Sequence, residues 1–256
     1  MLSAQNAQGD VVAWEVNKSN APFFCPKCKE EVSLKKGRVK VHHFSHRPMQ
    51  TWCPAASYGA ESDLHKQVKK DIYIALQNNP HVTRLKLERW LGEVRPDISF
   101  YLGTTPIAIE VQISTLSLDT IDKRTRAYAN KGIYLLWISP YDVTLDEERY
   151  NPRAWEKYIH TMYFGFVYYW TEGETLVPVH FGEYKIHVKE NSWWEGEGSD
   201  AEKIYAGGYD RFSKRYKTPI KSDKVKITEM SPITRKSWTS KTMSIPAAKL
   251  WTQSTI

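Results

Sequence analysis

The sequence is poor in cysteine, with three in 256 residues, which excludes a disulfide framework of the small secreted kind. Long apolar runs are also missing: each is interrupted within about ten residues, short of the roughly 20 that a membrane helix needs. Residues 1–20 hold Asp10 and Glu15 and no apolar segment of signal-peptide type. A cytoplasmic protein with no membrane partner is the resulting expectation. No repeat of solenoid length is visible, so a stacked-repeat architecture is excluded. What is present is a globular balance, 41% hydrophobic and 25% charged, long enough for one sizeable domain and a smaller module.

Excess charge is scarce until the chain's end. Residues 211–256 hold eleven Lys/Arg against Asp223 and Glu229, a net +9, whereas the first 210 residues net −2. This stretch is rich in Ser, Thr and Lys and has little periodicity. Residues 206–256 are therefore expected as a basic, flexible tail, either attracting nucleic acid or merely solvated. Trp238 and Trp251 favour a contact role, because disordered segments are usually poor in aromatics.

The cysteines cluster. Residues 1–58 read as a small β-type module holding Cys25-Pro-Lys-Cys28, then His42, His43, His46 and Cys53. A Cys-x2-Cys turn lets two thiolates converge on one tetrahedral ion. Cys25, Cys28, His43 and His46 satisfy the spacing, and so do Cys25, Cys28, His46 and Cys53. The second set uses every cysteine and is preferred, with His43 as the alternative ligand. Structural Zn²⁺ is expected there, since a module of about 58 residues has little core of its own.

From residue 59 the pattern changes. Glu61 to Gln77 has helical spacing and ends at Asn78-Asn79-Pro80. Alternating strands follow over 82–89, 94–102 and 107–113, then a helix over 119–131, stopped by Gly132, and an apolar strand over 133–138. Helix, three strands, helix, strand describes an α/β fold with a mixed sheet, not a regular βαβ repeat. A helix over 152–162, an aromatic strand over 163–170 and strands over 176–181 and 184–188 extend this core to about residue 205. The aromatic strand reads mainly as packing within a small sheet.

Chemistry concentrates in two strands. In Ile107-Ala-Ile-Glu-Val-Gln-Ile113 the period-two rule puts Ala108, Glu110 and Gln112 on one face and the aliphatic residues on the other. Asp97 lies in the preceding strand, and a hairpin would bring it beside Glu110. Two carboxylates within reach of one cation form the usual oxygen environment for Mg²⁺. Phosphodiester hydrolysis needs such a cation to neutralise the phosphate and acidify water. Glu61 falls inside the apolar stripe of Leu64, Val68 and Ile72, where a carboxylate needs a partner. His65 sits at the stripe's border and Lys69 just beyond it.

These segments together resemble the CoiA-like competence protein family, whose core resembles the PD-(D/E)XK nuclease superfamily. The matching runs are Cys25-Pro-Lys-Cys28, His43-Phe-Ser-His46, Glu61-Ser-Asp-Leu-His65, Arg95-Pro-Asp97, Glu110-Val-Gln-Ile-Ser114 and Lys123-Arg-Thr-Arg-Ala-Tyr128, followed by Gly132 and the strand ending Leu136-Trp137. The resemblance implies a restriction-endonuclease-like core behind an N-terminal zinc-binding segment. Asp97 and Glu110 then become ligands of Mg²⁺ or Mn²⁺, and Glu61 and His65 the helix-borne members of the site. Gln112 stands where the superfamily has lysine, and a neutral amide can only hydrogen-bond.

The first expectation is a metal-dependent nuclease acting on DNA in competence, recombination or related processing. Asp97, Glu110, Gln112, Glu61 and His65 carry its catalysis, and Arg95, Lys69, Arg124 and the tail contact phosphates. The second is a nuclease-fold DNA-binding or recombination accessory factor with weak or no turnover. The third has the zinc module recruit a protein partner, such as a recombination protein, onto a core that is only a scaffold.

Overall fold

The computed structural model describes residues 1–46, 53 and 61–253. The expected boundary at residues 58 and 59 and the last three residues of the tail lie outside them. The first unit is a five-stranded sheet of β1 (Ser3–Asn6), β2 (Gly9–Val12), β3 (Phe23–Phe24), β4 (Glu31–Lys35) and β5 (His43–His46), in the order β2-β1-β3-β4-β5. Its small core gathers Ala4, Ala13, Phe23, Val32, Leu34 and Phe44 around Cys25 and Cys53. That is little apolar surface for an independent fold.

The second unit is built on a ten-stranded mixed sheet with helices packed against it. Helix α1 (Asp63–Gln77) precedes β6 (Val82–Leu87), β7 (Ile98–Leu102) and β8 (Thr105–Val111). Then come α2 (Leu118–Asn130), β9 (Tyr134–Pro140), α3 (Ala154–Met162), β10 (Val167–Glu172) and β11 (Thr175–Val188). A small hairpin, β12 (Asn191–Glu195) with β13 (Glu202–Ala206), leads to β14 (Tyr209–Lys221), β15 (Val225–Lys226) and β16 (Ser231–Arg235). The chain ends with β17 (Trp238–Thr239), β18 (Ser244–Ile245) and β19 (Ala248–Thr252). The sheet runs β14-β11-β10-β9-β8-β7-β6, with β15 on β11 and the β16–β19 pair joined to β9. Strands β8, β9 and β10 are mutually parallel, and β6, β7 and β8 form an antiparallel meander.

This is the mixed α/β core behind a β-type module that the pattern predicts. Strand β8 is central, and both its faces are covered. Ile107, Ile109 and Val111 are buried, and so are Ala108, Glu110 and Gln112. Helix α1 packs against β6, β8 and β10, while α2 packs against β9 and β19.

Three expectations need correction. Residues 206–256 do not form a flexible tail where the structure describes them. They supply strands of the main sheet, with Ile227, Ile245, Leu250 and Trp251 buried. Short strands with one or two apolar anchors each are hard to see among Ser, Thr and Lys. Second, the buried stripe of α1 is Val68, Lys69, Ile72, Tyr73 and Leu76, whereas Leu64 is 50% exposed. Third, Glu61 lies outside the helix, one residue before the N-cap Ser62, so its place on a helical wheel has no meaning.

Candidate metal centre and the module beside it

Ser62 starts α1 by accepting a hydrogen bond from the His65 N–H at 3.1 Å, which satisfies one orphan donor of the first turn. His65 and Lys69 are one turn apart and share a face. That face meets Asp97, just before β7. His65 Nε2 is 3.2 Å from Asp97 Oδ2, and its Nδ1 is 3.1 Å from Glu61 Oε1. The backbone N–H of Val111 also donates to Asp97 Oδ2, at 2.9 Å, tying the carboxylate to the end of β8. One donor atom each from Glu61, His65 and Asp97 lies within 4.8 Å of the others.

Lys69 stands at the centre of this group and is fully buried. Its Nζ donates to Glu88 Oε1 at 2.6 Å and to Glu61, and lies 3.4 Å from Asp97 Oδ1. Burial alone would strip the ammonium of its proton, but Glu88, Asp97 and Glu61 outweigh it and raise its pKa. Burial likewise works to raise the Glu88 and Asp97 carboxyls, yet Lys69 holds both well below the usual carboxylate range. Three carboxylates around one ammonium leave the pocket acidic, with the N-terminal ammonium and Arg95 acting on Glu88 from farther off. An acidic pocket of oxygen donors is the kind of environment that a divalent cation takes.

Glu110 stands apart from the Glu61–His65–Asp97 group. Ile98 pairs with Ile109, so Asp97 lies across from Glu110, as the hairpin argument expects. Its carboxylate, however, accepts from Arg124 Nη1 at 2.8 Å and from the Tyr128 hydroxyl at 2.6 Å, both on α2. Burial pushes its carboxyl up to about 7, against the pull of Arg124. Gln112 continues the ladder by donating its N–H to Ile138 at 2.7 Å, and its side-chain amide donates to the Ser114 carbonyl. It is not drawn into the cluster.

The expected phosphate contacts divide. Lys69 is enclosed and ion-paired, so it offers no cationic surface. Arg124 keeps 26% of its side chain exposed beside Glu110. Arg95 lies 5.6 Å over the Trp90 ring. Sequence reasoning gave neither Glu88, in the alternating 82–89 strand, nor Tyr128 a role in the site. The available signal was Lys69 itself, one residue from Val68 and three from Ile72, where an ammonium requires acidic partners.

In the N-terminal module the thiol and imidazole atoms of Cys25, Cys28, His46 and Cys53 all lie within 4.8 Å of one another. Cys25 Sγ is 4.0 Å from Cys53 Sγ, and Cys28 Sγ is 3.4 Å from His46 Nε2. A tetrahedral zinc ion with bonds of about 2.0–2.3 Å spaces its ligands by about 3.5–3.8 Å, so this Cys3His cluster fits zinc. The Lys27 N–H points to Cys25 Sγ at 3.4 Å, as the turn of a metal knuckle requires. His43 instead places Nδ1 2.8 Å from the Val41 carbonyl and stays outside the cluster.

Comparison with known proteins agrees with this two-part organisation. Residues 8–56 match the family model for the N-terminal domain of competence protein CoiA, and residues 61–176 match that for its nuclease-like domain. Competence protein CoiA of Bacillus subtilis (strain 168) is 31% identical over 119 residues, which is 46% of this chain and 31% of that relative. The match thus spans about a third of the relative's length. No solved structure matches the chain. Among the described residues no helix is long and apolar enough to cross a membrane.

Proposed function

The chain belongs to the CoiA-like competence protein family, and on that premise we propose that it is a divalent-metal-dependent nuclease acting on DNA. The observation that carries the reading is the convergence of Glu61, His65 and Asp97 around the buried Lys69. Asp97, Glu61 and His65 hold Mg²⁺ or Mn²⁺, with Glu110 across the strand pair as the further carboxylate. When bound, the cation neutralises a phosphate and renders water more acidic. In this reading Arg124, partly exposed beside Glu110, meets a phosphate oxygen, and its release leaves Glu110 held by Tyr128 alone. Lys69 brings from α1 a positive charge that Gln112, just past β8, does not, and that charge is paired with Glu61, Glu88 and Asp97. Zn²⁺ in the Cys25–Cys28–His46–Cys53 cluster is structural.

The division into a zinc module over 1–58 and a core from 59 belongs to the same proposal, supported by the break between the two matched segments. The direct test incubates the protein with single- and double-stranded DNA, with and without Mn²⁺. Metal-dependent cleavage is expected, and cleavage that survives Asp97→Ala combined with Glu110→Ala removes these residues from the chemistry. A second reading, a DNA-binding factor of weak turnover, is favoured by Gln112, whose amide is tied to Ser114. Its signature is salt-sensitive DNA binding without cleavage in the presence of Mn²⁺.

A further inference from the structure

The segment closing β6 joins the two units. Glu88 has a left-handed backbone, φ 52°, which a non-glycine residue holds only where its surroundings enforce it. Its N–H donates to the Asp97 carbonyl at 3.0 Å. Its carboxylate is divided between the units: Oε1 receives Lys69 at 2.6 Å, and Oε2 accepts from the Leu2 N–H, in the N-terminal module, at 2.9 Å. Ser3 Oγ donates to the neighbouring Leu87 carbonyl at 3.2 Å. Two residues on, Trp90 packs against the cysteine-containing core, and Lys27 of the knuckle lies 4.5 Å over its ring. The module therefore grips residues 87–90 from one side, and Glu88 reaches from there to the centre of the carboxylate group.

We infer that Glu88 is a positioning residue through which the N-terminal module sets the affinity of the Glu61–His65–Asp97 group for a divalent cation. The inference rests on the metal reading proposed above. The Lys69 ammonium is a built-in competitor for that cation. Glu88 holds it at 2.6 Å, against 3.4 Å for Asp97, and so keeps it off the Asp97 carboxylate while it stays paired with Glu61. Without a negative charge at position 88 the ammonium, already paired with Glu61, closes on Asp97 as well and opposes metal entry. The Leu2 N–H fixes which way Glu88 points, so a contact from the module acts on the core without touching the metal.

The test is calorimetric titration of Mn²⁺ into the full chain with zinc supplied. Glu88→Gln is expected to weaken Mn²⁺ binding about tenfold or more, within the range usual for groups that orient metal ligands. Adding Lys69→Met to that variant removes the competitor and is expected to restore affinity, which a purely structural role for Glu88 does not predict. Leu2→Pro and Leu2→Ala both lose the buried side chain, but only proline loses the N–H donor. Proline is expected to weaken Mn²⁺ binding further than alanine does, and this pair decides the matter should Glu88→Gln fail to fold.

Mn²⁺ affinity unchanged in Glu88→Gln, while Asp97→Ala abolishes binding, overturns the positioning role and leaves the metal reading intact. So does a double variant that stays weak. Equal affinities in the two Leu2 variants exclude the link to the module. A wild-type chain that takes up no Mn²⁺ overturns the metal reading and this inference together.

Discussion

Lys69→Met keeps the length of the side chain and deletes its charge. Lys69 is fully buried and surrounded by Glu61, Glu88 and Asp97, so the variant leaves buried carboxylates without a counter-ion. Removing one partner of a buried ion pair costs about 3–5 kcal/mol. In a chain of this size each kcal/mol moves the melting temperature by about 2–4 °C. The metal-free variant should therefore melt about 6–20 °C below wild type at pH 8. The pH dependence follows from the direction of the shifts. In wild type, Glu88 and Asp97 titrate below their ordinary values because of Lys69. Their contribution to stability is present above the ordinary carboxylate range and is lost only as pH falls through the lower folded values. Without Lys69, burial dominates and the same carboxyls rise, so protonation relieves the variant as pH falls from 8 to 5. Thermal melts in EDTA at pH 8, 6.5 and 5 measure this: the gap should narrow towards pH 5. A variant that melts within about 2 °C of wild type at pH 8, or a gap that widens on acidification, removes Lys69 as the counter-ion that stabilises these carboxylates.

Other outcomes follow from the same contacts. Cys53→Ser should lower zinc stoichiometry and destabilise residues 1–46, read by atomic absorption and proteolysis, whereas His43→Ala should leave zinc content unchanged. Tyr128→Phe removes one of two hydrogen bonds to the buried Glu110 and should cost about 1–2 kcal/mol, seen in urea melts. Arg124→Ala should weaken DNA binding and lower its salt slope by about one. An unchanged slope removes Arg124 from the phosphate contacts.

The order of the core elements was legible because strongly periodic segments announce themselves: α1, α2 and the alternating Ile107–Val111 strand fall where their patterns place them. Two kinds of feature were not. The strands after Tyr209 were hidden by composition, since an edge strand such as β16 buries little and keeps a polar surface. The identity of the cluster's members was hidden by distance in the chain. Glu88 reaches Lys69 across 19 residues and Leu2 across 86, contacts that no local period encodes. Asp97 could be set beside Glu110 from alternation, but alternation could not show that Arg124 and Tyr128 take up the Glu110 oxygens. The expectation for Lys69 failed for a related reason. A lysine beside an apolar stripe is usually solvated, and only the three acids converging from elsewhere make a buried one tenable.

The proposed function stands or falls with Glu61, His65 and Asp97 as a cation site. A crystal structure of the protein grown with Mn²⁺ and recorded at the manganese absorption edge tests it most directly. An anomalous peak is expected within about 2–2.5 Å of an Asp97 oxygen and a donor atom of Glu61 or His65. Density with no such peak, or manganese found solely at the Cys25–Cys28–His46–Cys53 cluster, contradicts it.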